Sequence, residues 1–322
     1  MTSPLTVVMY HYVRPLARSR FPKIKGLELE AFRAQIDYLQ DRYRPVRMDE
    51  VLDAARSGRP LPERAALLTF DDGYADHYRY VFPILAERGL QGAFYVPRAT
   101  ALERDILDVN RVHFILAAVD DHNALAGQVA AMAEAARGRF DLPSIDELRS
   151  LYHVPNRFDP AAVNFVKRLL QHALPSSLRA EMSSELFRVY VAADAHSFSE
   201  ELYMSLDQMR VMARAGMHFG GHGDRHLWMS RATPAEKAAE VAGAVDLLDA
   251  IGVPHDRRTY CYPYGDFDEA SIELLKAGGF QAAFTSHPDI AELGQHPVFE
   301  LPRIDTNDLA REMILPQDAH AH

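Results

Sequence analysis

What most constrains this chain is the alternation of two hydrophobic periods along it. Short apolar runs recur at Leu5 to Tyr10, Ala65 to Phe70, Gly92 to Val96, Met217 to Gly220, Thr259 to Tyr262 and Phe280 to Thr285, each ending on a polar or punctuating residue. Runs of this length predict strands. Between them Leu29, Phe32, Ile36 and Leu39, and again Val241, Val245 and Leu248, recur at spacings of three and four, which predicts helices with one buried face. Two helix starts carry capping-box chemistry, Thr233-Pro-Ala-Glu236 and Ser205-Leu-Asp-Gln208, and two ends carry glycine, Gly252 and Gly278. Strands alternating with helices predict an α/β fold, parallel strands covered by helices, closed as a barrel or left open. The alternation stops between Ala101 and Tyr203. There Val163, Val166, Leu169 and Leu170, then Leu178, Met182 and Leu186, keep a helical period between turn signals at Pro143, Pro155 and Pro175. This stretch reads as an all-helical insertion of roughly 100 residues. Residues 1–100 and 204–315 then form the α/β domain, and 316–322, with His320 and His322, a tail expected to be disordered.

Composition narrows the function classes. The 322 residues suit two domains or one barrel with an insertion, and 48% hydrophobic against 25% charged residues supports a sizeable core. A net charge of −10 lacks the basic footprint of a nucleic-acid binder. The single cysteine, Cys261, excludes an internal disulfide and a cysteine-rich zinc site, so ligands to any metal must be histidine and carboxylate. The apolar stretch Leu5 to Met9 has no basic flank and is too short for a secretion signal. No run approaches about 20 apolar residues, so no membrane span and a cytoplasmic location are expected.

Parallel folds place their chemistry after the C-terminal ends of strands. Those positions hold His11, then Asp71-Asp72-Gly73, then Gly221-His222-Gly223-Asp224-Arg225-His226, then Pro263-Tyr264-Gly265. Adjacent residues leaving a strand point to different sides, so Asp71 and Asp72 suit one ligand and one base better than two ligands. His222 and His226, four apart, can meet one ion. With one carboxylate they make a two-histidine, one-carboxylate set with open positions. Alone, Asp-Asp-Gly is more often a turn and H-x-x-x-H a surface helix pair. It is their conjunction on one predicted sheet that points to chemistry.

These residues resemble the polysaccharide deacetylases, carbohydrate esterase family 4. Thr69-Phe70-Asp71-Asp72-Gly73 resembles the first motif, His222 to His226 the second, with Gly223 where Ser or Thr is usual, and Tyr262-Pro263-Tyr264-Gly265 the third. The resemblance implies a distorted, incomplete (β/α) barrel that hydrolyses an N-acetyl group from an amino sugar. It implies that Asp72, His222 and His226 bind a divalent metal, most often zinc, that Asp71 is the general base, and that the Tyr264 backbone N–H helps to hold the oxyanion. Two departures stand out. Cys261 occupies the place of the third motif's arginine, for which Arg303 is a candidate substitute, an ordinary salt bridge being the alternative. No L-x-H segment carries a general-acid histidine near the C-terminus, and His287 has no matching motif around it. A circularly permuted subgroup of bacterial exopolysaccharide deacetylases has that segment at the N-terminus, where Met9-Tyr10-His11 fits. On this reading His11 protonates the departing amine. Trp228 is either an aromatic lid or core packing. His113, on an apolar face, reads as a packing histidine, and the insertion is expected to flank the mouth of the site. The expected partner is an N-acetylated sugar, nucleotide-linked, lipid-linked or oligomeric, in surface-glycan assembly. Two alternatives stay open: a glycosidase using paired carboxylates, and an impaired carbohydrate-binding relative motivated by Cys261.

Overall fold

The computed structural model describes residues 3–157 and 159–309. The expected tail, with His320 and His322, and residues 310–315 lie outside them. Two compact units emerge, one of 1–15, 26–105 and 200–322, the other of 16–25 and 106–199.

The first unit is built on a nine-stranded sheet. Its main strands are β1 (Ser3–Tyr10), β2 (Ala65–Asp71), β3 (Gly92–Val96), β4 (His218–Gly221), β5 (Thr259–Cys261) and β6 (Ala282–Phe284). They lie side by side in that order, all parallel. On the far side of β1, β7 (Ala291–Leu293) pairs antiparallel and β8 (Ile304–Asp305) parallel, while Arg44–Pro45 extends beside β2. The six main strands differ from the sequence expectation only at their ends, whereas β7, β8 and Arg44–Pro45 are strands it did not contain. The chain segment from Val298 to Asp305 bridges the two margins. It hydrogen-bonds to β6 at Ala283 and Thr285, then joins β1 as β8. The result is the expected incomplete barrel.

Period-two alternation sorts each strand into two buried layers. Val8, Tyr10, Ala66, Leu68, Phe70, Phe94, Phe219 and Tyr260 pack against the covering helices, α1 (Leu29–Arg42), α10 (Leu206–Arg214), α11 (Pro234–Ile251) and α12 (Glu269–Ala277) among them. Leu5, Val7, Ala65, Leu67, Ala93, Tyr95, Cys261, Ala282 and Phe284 form the opposite cluster, closed below by α2 (Met48–Ser57). Space there is tight. A Cβ on Gly220 would stand 2.3 Å from the Tyr95 ring, so only glycine admits this tyrosine. The capping boxes at Ser205 and Thr233 form as expected, and Gly252 takes the left-handed C-cap. Gly278 does not: its φ is −76°, and Gly279 makes the left-handed turn instead.

The second unit is helical, with α4 (Asp108–Ala118), α5 (His122–Ala136), α6 (Ile145–Tyr152), α7 (Ala161–Arg168) and α8 (Ser176–Tyr190) around a core that includes Phe114, Phe165, Leu170 and Phe187. Its bounds correct the expected 101–203. Residues 101–105 and 200–203 group with the barrel unit instead, where Glu103 pairs with Arg225 and Tyr203 forms a bridge with Tyr74. Conversely, residues 16–25 join the helices, where Phe21 meets Phe114 edge-on at 5.1 Å. His113 lines a cavity of about 150 Å³ within this unit, beside Leu116 and Val163.

Candidate active site and metal centre

Strand phase brings the site together. Tyr10 pairs with Phe70 in register, so His11 and Asp71 leave adjacent strands side by side on the face of Leu5, Val7 and Leu67. Val96 lies opposite Gly221, and Gly221 opposite Tyr260, so His222 and Cys261 arrive at the same end. Asp72 has the wrong phase for this face. Its backbone turns left-handed, with φ +70°, and returns the carboxylate. Among the described residues five non-glycines have positive φ, and three of them, Asp72, His226 and Tyr264, belong to this cluster. Such backbone costs roughly 1–3 kcal/mol per residue and persists only where the surroundings enforce it.

Two differently held aspartates result. Asp71 is gripped by the buried Arg303: Nη1 donates to Oδ1 at 2.9 Å and Nη2 to Oδ2 at 2.7 Å. Arg303 also donates to the Thr285 carbonyl, the Thr69 hydroxyl and Cys261 Sγ, the last at 2.8 Å. A guanidinium therefore sits beside Cys261, where the sequence has no arginine. Burial alone would raise the Asp71 pKa, but the Arg303 charge outweighs it and leaves the carboxyl at about 2. His11 Nε2 stands 3.9 Å from Asp71 Oδ2, with the histidine side chain 42% exposed.

Asp72 faces the two histidines, Oδ1 lying 3.4 Å from His222 Nε2 and 3.5 Å from His226 Nε2. Its other oxygen accepts the Tyr74 hydroxyl, which burial keeps protonated. Burial would raise the Asp72 pKa, yet the two imidazoles it faces, His222 first and then His226, hold it well below the usual range. Burial, then the neighbouring His222, push His226 down to about 3, so its imidazole is neutral near pH 7.

These residues fit a divalent ion. The three ligand atoms lie within 4.8 Å of one another, all from buried residues. Asp72 Oδ1 is buried with no hydrogen-bond partner, which is costly unless a cation is meant to meet it. His222 Nδ1 lies 2.7 Å from the Cys261 carbonyl, so Nδ1–H donates and Nε2 keeps its lone pair free. A second grouping, Asp71, His222 and Cys261, is equally compact but has the Arg303 cation against both Asp71 and Cys261, which disfavours a dication there.

Aromatic rings flank the ligands. The Tyr264 ring meets His226 edge-on at 4.6 Å, and Trp228 stacks on Tyr264 at 4.2 Å. Trp228, half-buried, is the outer leaf of this stack. His287 is exposed and lies outside this cluster. Three contributors escaped the sequence reading. Tyr74 holds Asp72. Buried His77, pushed down to about 4 by desolvation, is hydrogen-bonded to the His11 carbonyl at 2.9 Å. Glu240 binds the loop between His222 and His226. Tyr74 and His77 follow Gly73 within four residues, the one signal that could have marked them; Glu240 had none.

Fold and site together define a class, an α/β barrel with two histidines and one aspartate that could hold a metal ion and a second aspartate beside them at the strand ends. The sequence pattern of the polysaccharide deacetylase family matches residues 58–130 and 166–283, more than half of the chain, and the protein belongs to that family. A stretch of 79 residues is 39% identical to poly-beta-1,6-N-acetyl-D-glucosamine N-deacetylase of Escherichia coli K12, covering 24% of this chain and 12% of that enzyme. The fold is similar to that of Streptococcus pyogenes deacetylase PplD, solved with acetate (TM-score 0.58, 16% identity, 98% of this chain and 100% of that one). It is also similar to IcaB of Ammonifex degensii (TM-score 0.55, 20% identity, 97% and 96%).

Proposed function

We propose that this chain is a metal-dependent carbohydrate N-deacetylase that removes the acetyl group from an amino sugar in a surface glycan or its precursor. The observation that carries the reading is the division between Asp72, turned onto two imidazoles, and Asp71, locked by Arg303 and next to His11. Asp72, His222 and His226 would hold the ion, zinc by preference for such ligands. The ion, when bound, supplies the positive charge that polarises the acetyl carbonyl and makes a water acidic enough for so weak a base as Asp71. Arg303 keeps Asp71 ionised and fixed in direction. The Tyr264 N–H donates where oxyanion charge develops. His11, partly exposed and against Asp71, gives its proton to the departing amine, a poor leaving group without one.

Other readings receive less support. A paired-carboxylate glycosidase needs one carboxyl held protonated near neutral pH. Here both aspartates are pulled below the usual range. The impaired-binder reading rested on Cys261 standing in place of an arginine, and Arg303 supplies a guanidinium there.

The test combines ion content with acetate release from nucleotide-linked, lipid-linked and oligomeric N-acetyl sugars. The expected outcome is about one divalent ion per chain, lost in His222→Ala, with acetate released from at least one substrate class. Undiminished ion content in His222→Ala would overturn the ligand assignment, and an ion-loaded protein that releases no acetate from any class would overturn the activity.

A further inference from the structure

The loop from His222 to His226 carries two of the three proposed ligands, but the strand hydrogen bonds end at its start. On its carbonyl side, the N–H groups of Arg98 and Ala99 reach the carbonyls of Gly223 and Asp224. On its N–H side the partner is a carboxylate from another element. Glu240 on α11, only 2% exposed, aims both oxygens into the loop. Its Oε2 accepts the N–H of Asp224 at 3.1 Å and of Leu227 at 3.3 Å, and Oε1 accepts the N–H of Arg225 at 2.8 Å. Backbone N–H groups converging on one anion form a nest, and an acidic side chain is its natural occupant. Among the described residues no basic side chain forms an ion pair with Glu240, so these amides are what its charge is committed to.

Gly223 is matched to this arrangement. Its φ is +80°, and a Cβ there would stand 2.1 Å from Glu240 Oε2. Any other residue at 223 would push the carboxylate out of the nest or the loop off the carboxylate.

We propose that Glu240 is a positioning residue for the metal centre: by binding the N–H groups of Asp224, Arg225 and Leu227 it fixes where His226 stands relative to His222 and Asp72. The proposal rests on the metal-centre reading above. Glu240 forms no hydrogen bond with Asp72, His222 or His226, and it acts through the loop backbone.

Zinc affinity, measured by competition with a chromophoric chelator, and the visible absorption of the cobalt-loaded protein test it in the full chain. Glu240→Gln keeps the shape but turns an NH2 toward backbone N–H groups. It is expected to weaken zinc binding by about 10-fold or more, the scale of outer-sphere effects on metal sites, and to alter the cobalt spectrum, which reports ligand geometry. Gly223→Ala is expected to weaken binding too. Combined with Glu240→Ala, its further loss should be smaller than in the parent, because the carboxylate it collides with is gone. In the unaltered, metal-free protein, the amides of Asp224, Arg225 and Leu227 should be protected from hydrogen exchange, a measurement that needs no variant to fold. Unchanged zinc affinity and cobalt spectrum in Glu240→Gln, or free exchange at all three amides, would overturn the proposal alone. Failure of the unaltered protein to take up either ion would overturn the metal centre and this proposal together.

Discussion

Asp71 and Asp72 are neighbours in the chain and both lie near His222, yet the groups that hold them differ. Asp71 meets a bidentate guanidinium, which fixes its plane; Asp72 meets two imidazoles and a phenol. Removing one partner of a buried, hydrogen-bonded ion pair such as Asp71 and Arg303 costs roughly 3–5 kcal/mol, so Arg303 is a poor probe of chemistry. Asp71→Asn is a milder one, since it keeps the shape and one accepting oxygen toward Arg303 while losing the charge of the pair and the ability to take a proton, so its fold is checked by urea unfolding alongside. It should retain the ion and lose turnover by roughly 10²-fold or more. Ion content and acetate release measured on the same sample check this, and loss of the ion would mean that the two aspartates have exchanged roles. At this scale the sequence pattern exposed Asp71, Asp72, His222 and His226 because each follows a predicted strand. Tyr74, His77 and Glu240 were not legible, because a tyrosine just past a turn, or a histidine or glutamate inside a helix, carries no mark of what it faces.

Strand phase and helix caps explain the elements. Leu5 and Val7, Ala65 and Leu67, and Ala93 and Tyr95 show one face of the sheet, and the same phase run forward delivers His11 and Asp71 to it. Those runs and the capping boxes were readable locally, since propensity and capping act within four residues. The boundary of the helical unit was not, because residues 16–25 join it only through contacts across the fold, such as Phe21 with Phe114. One cap is also a pH probe. Asp268 caps α12 by accepting the Ser271 N–H and pairs with Lys237 of α11, and these partners, Lys237 first, lower its carboxyl to about 2. A depressed carboxyl stabilises the fold above its unfolded pKa of about 3.9 and ceases to do so as pH falls through the folded value. Asp268→Asn keeps the capping oxygen but not the charge. Urea midpoints of the parent and this variant should therefore differ most above about pH 5 and converge near pH 2. A difference independent of pH would remove the Lys237 pair from the account.

Over the whole barrel unit, the first strand lies between β2 and the returning C-terminal segment, so the histidine nearest the start of the chain meets an arginine more than 290 residues later across Asp71. That meeting predicts a specific phenotype. His11→Ala should keep fold and ion yet lose deacetylation, with a smaller loss on an activated acetyl ester, whose leaving group needs no proton. Parallel kinetics on amide and ester decide it, and equal losses would remove His11 as the acid. The sequence by itself determined the α/β class, the strand ends where the candidate site lies and the motif residues, because hydrophobic period and residue spacing are local properties of the chain. Only the tertiary structure decided that Arg303 stands beside Cys261 and grips Asp71, that Asp72 turns back onto two histidines, and that Glu240 fills the N–H side of their loop. Each of those contacts joins residues whose nearness follows from sheet register and barrel closure, which no local pattern encodes.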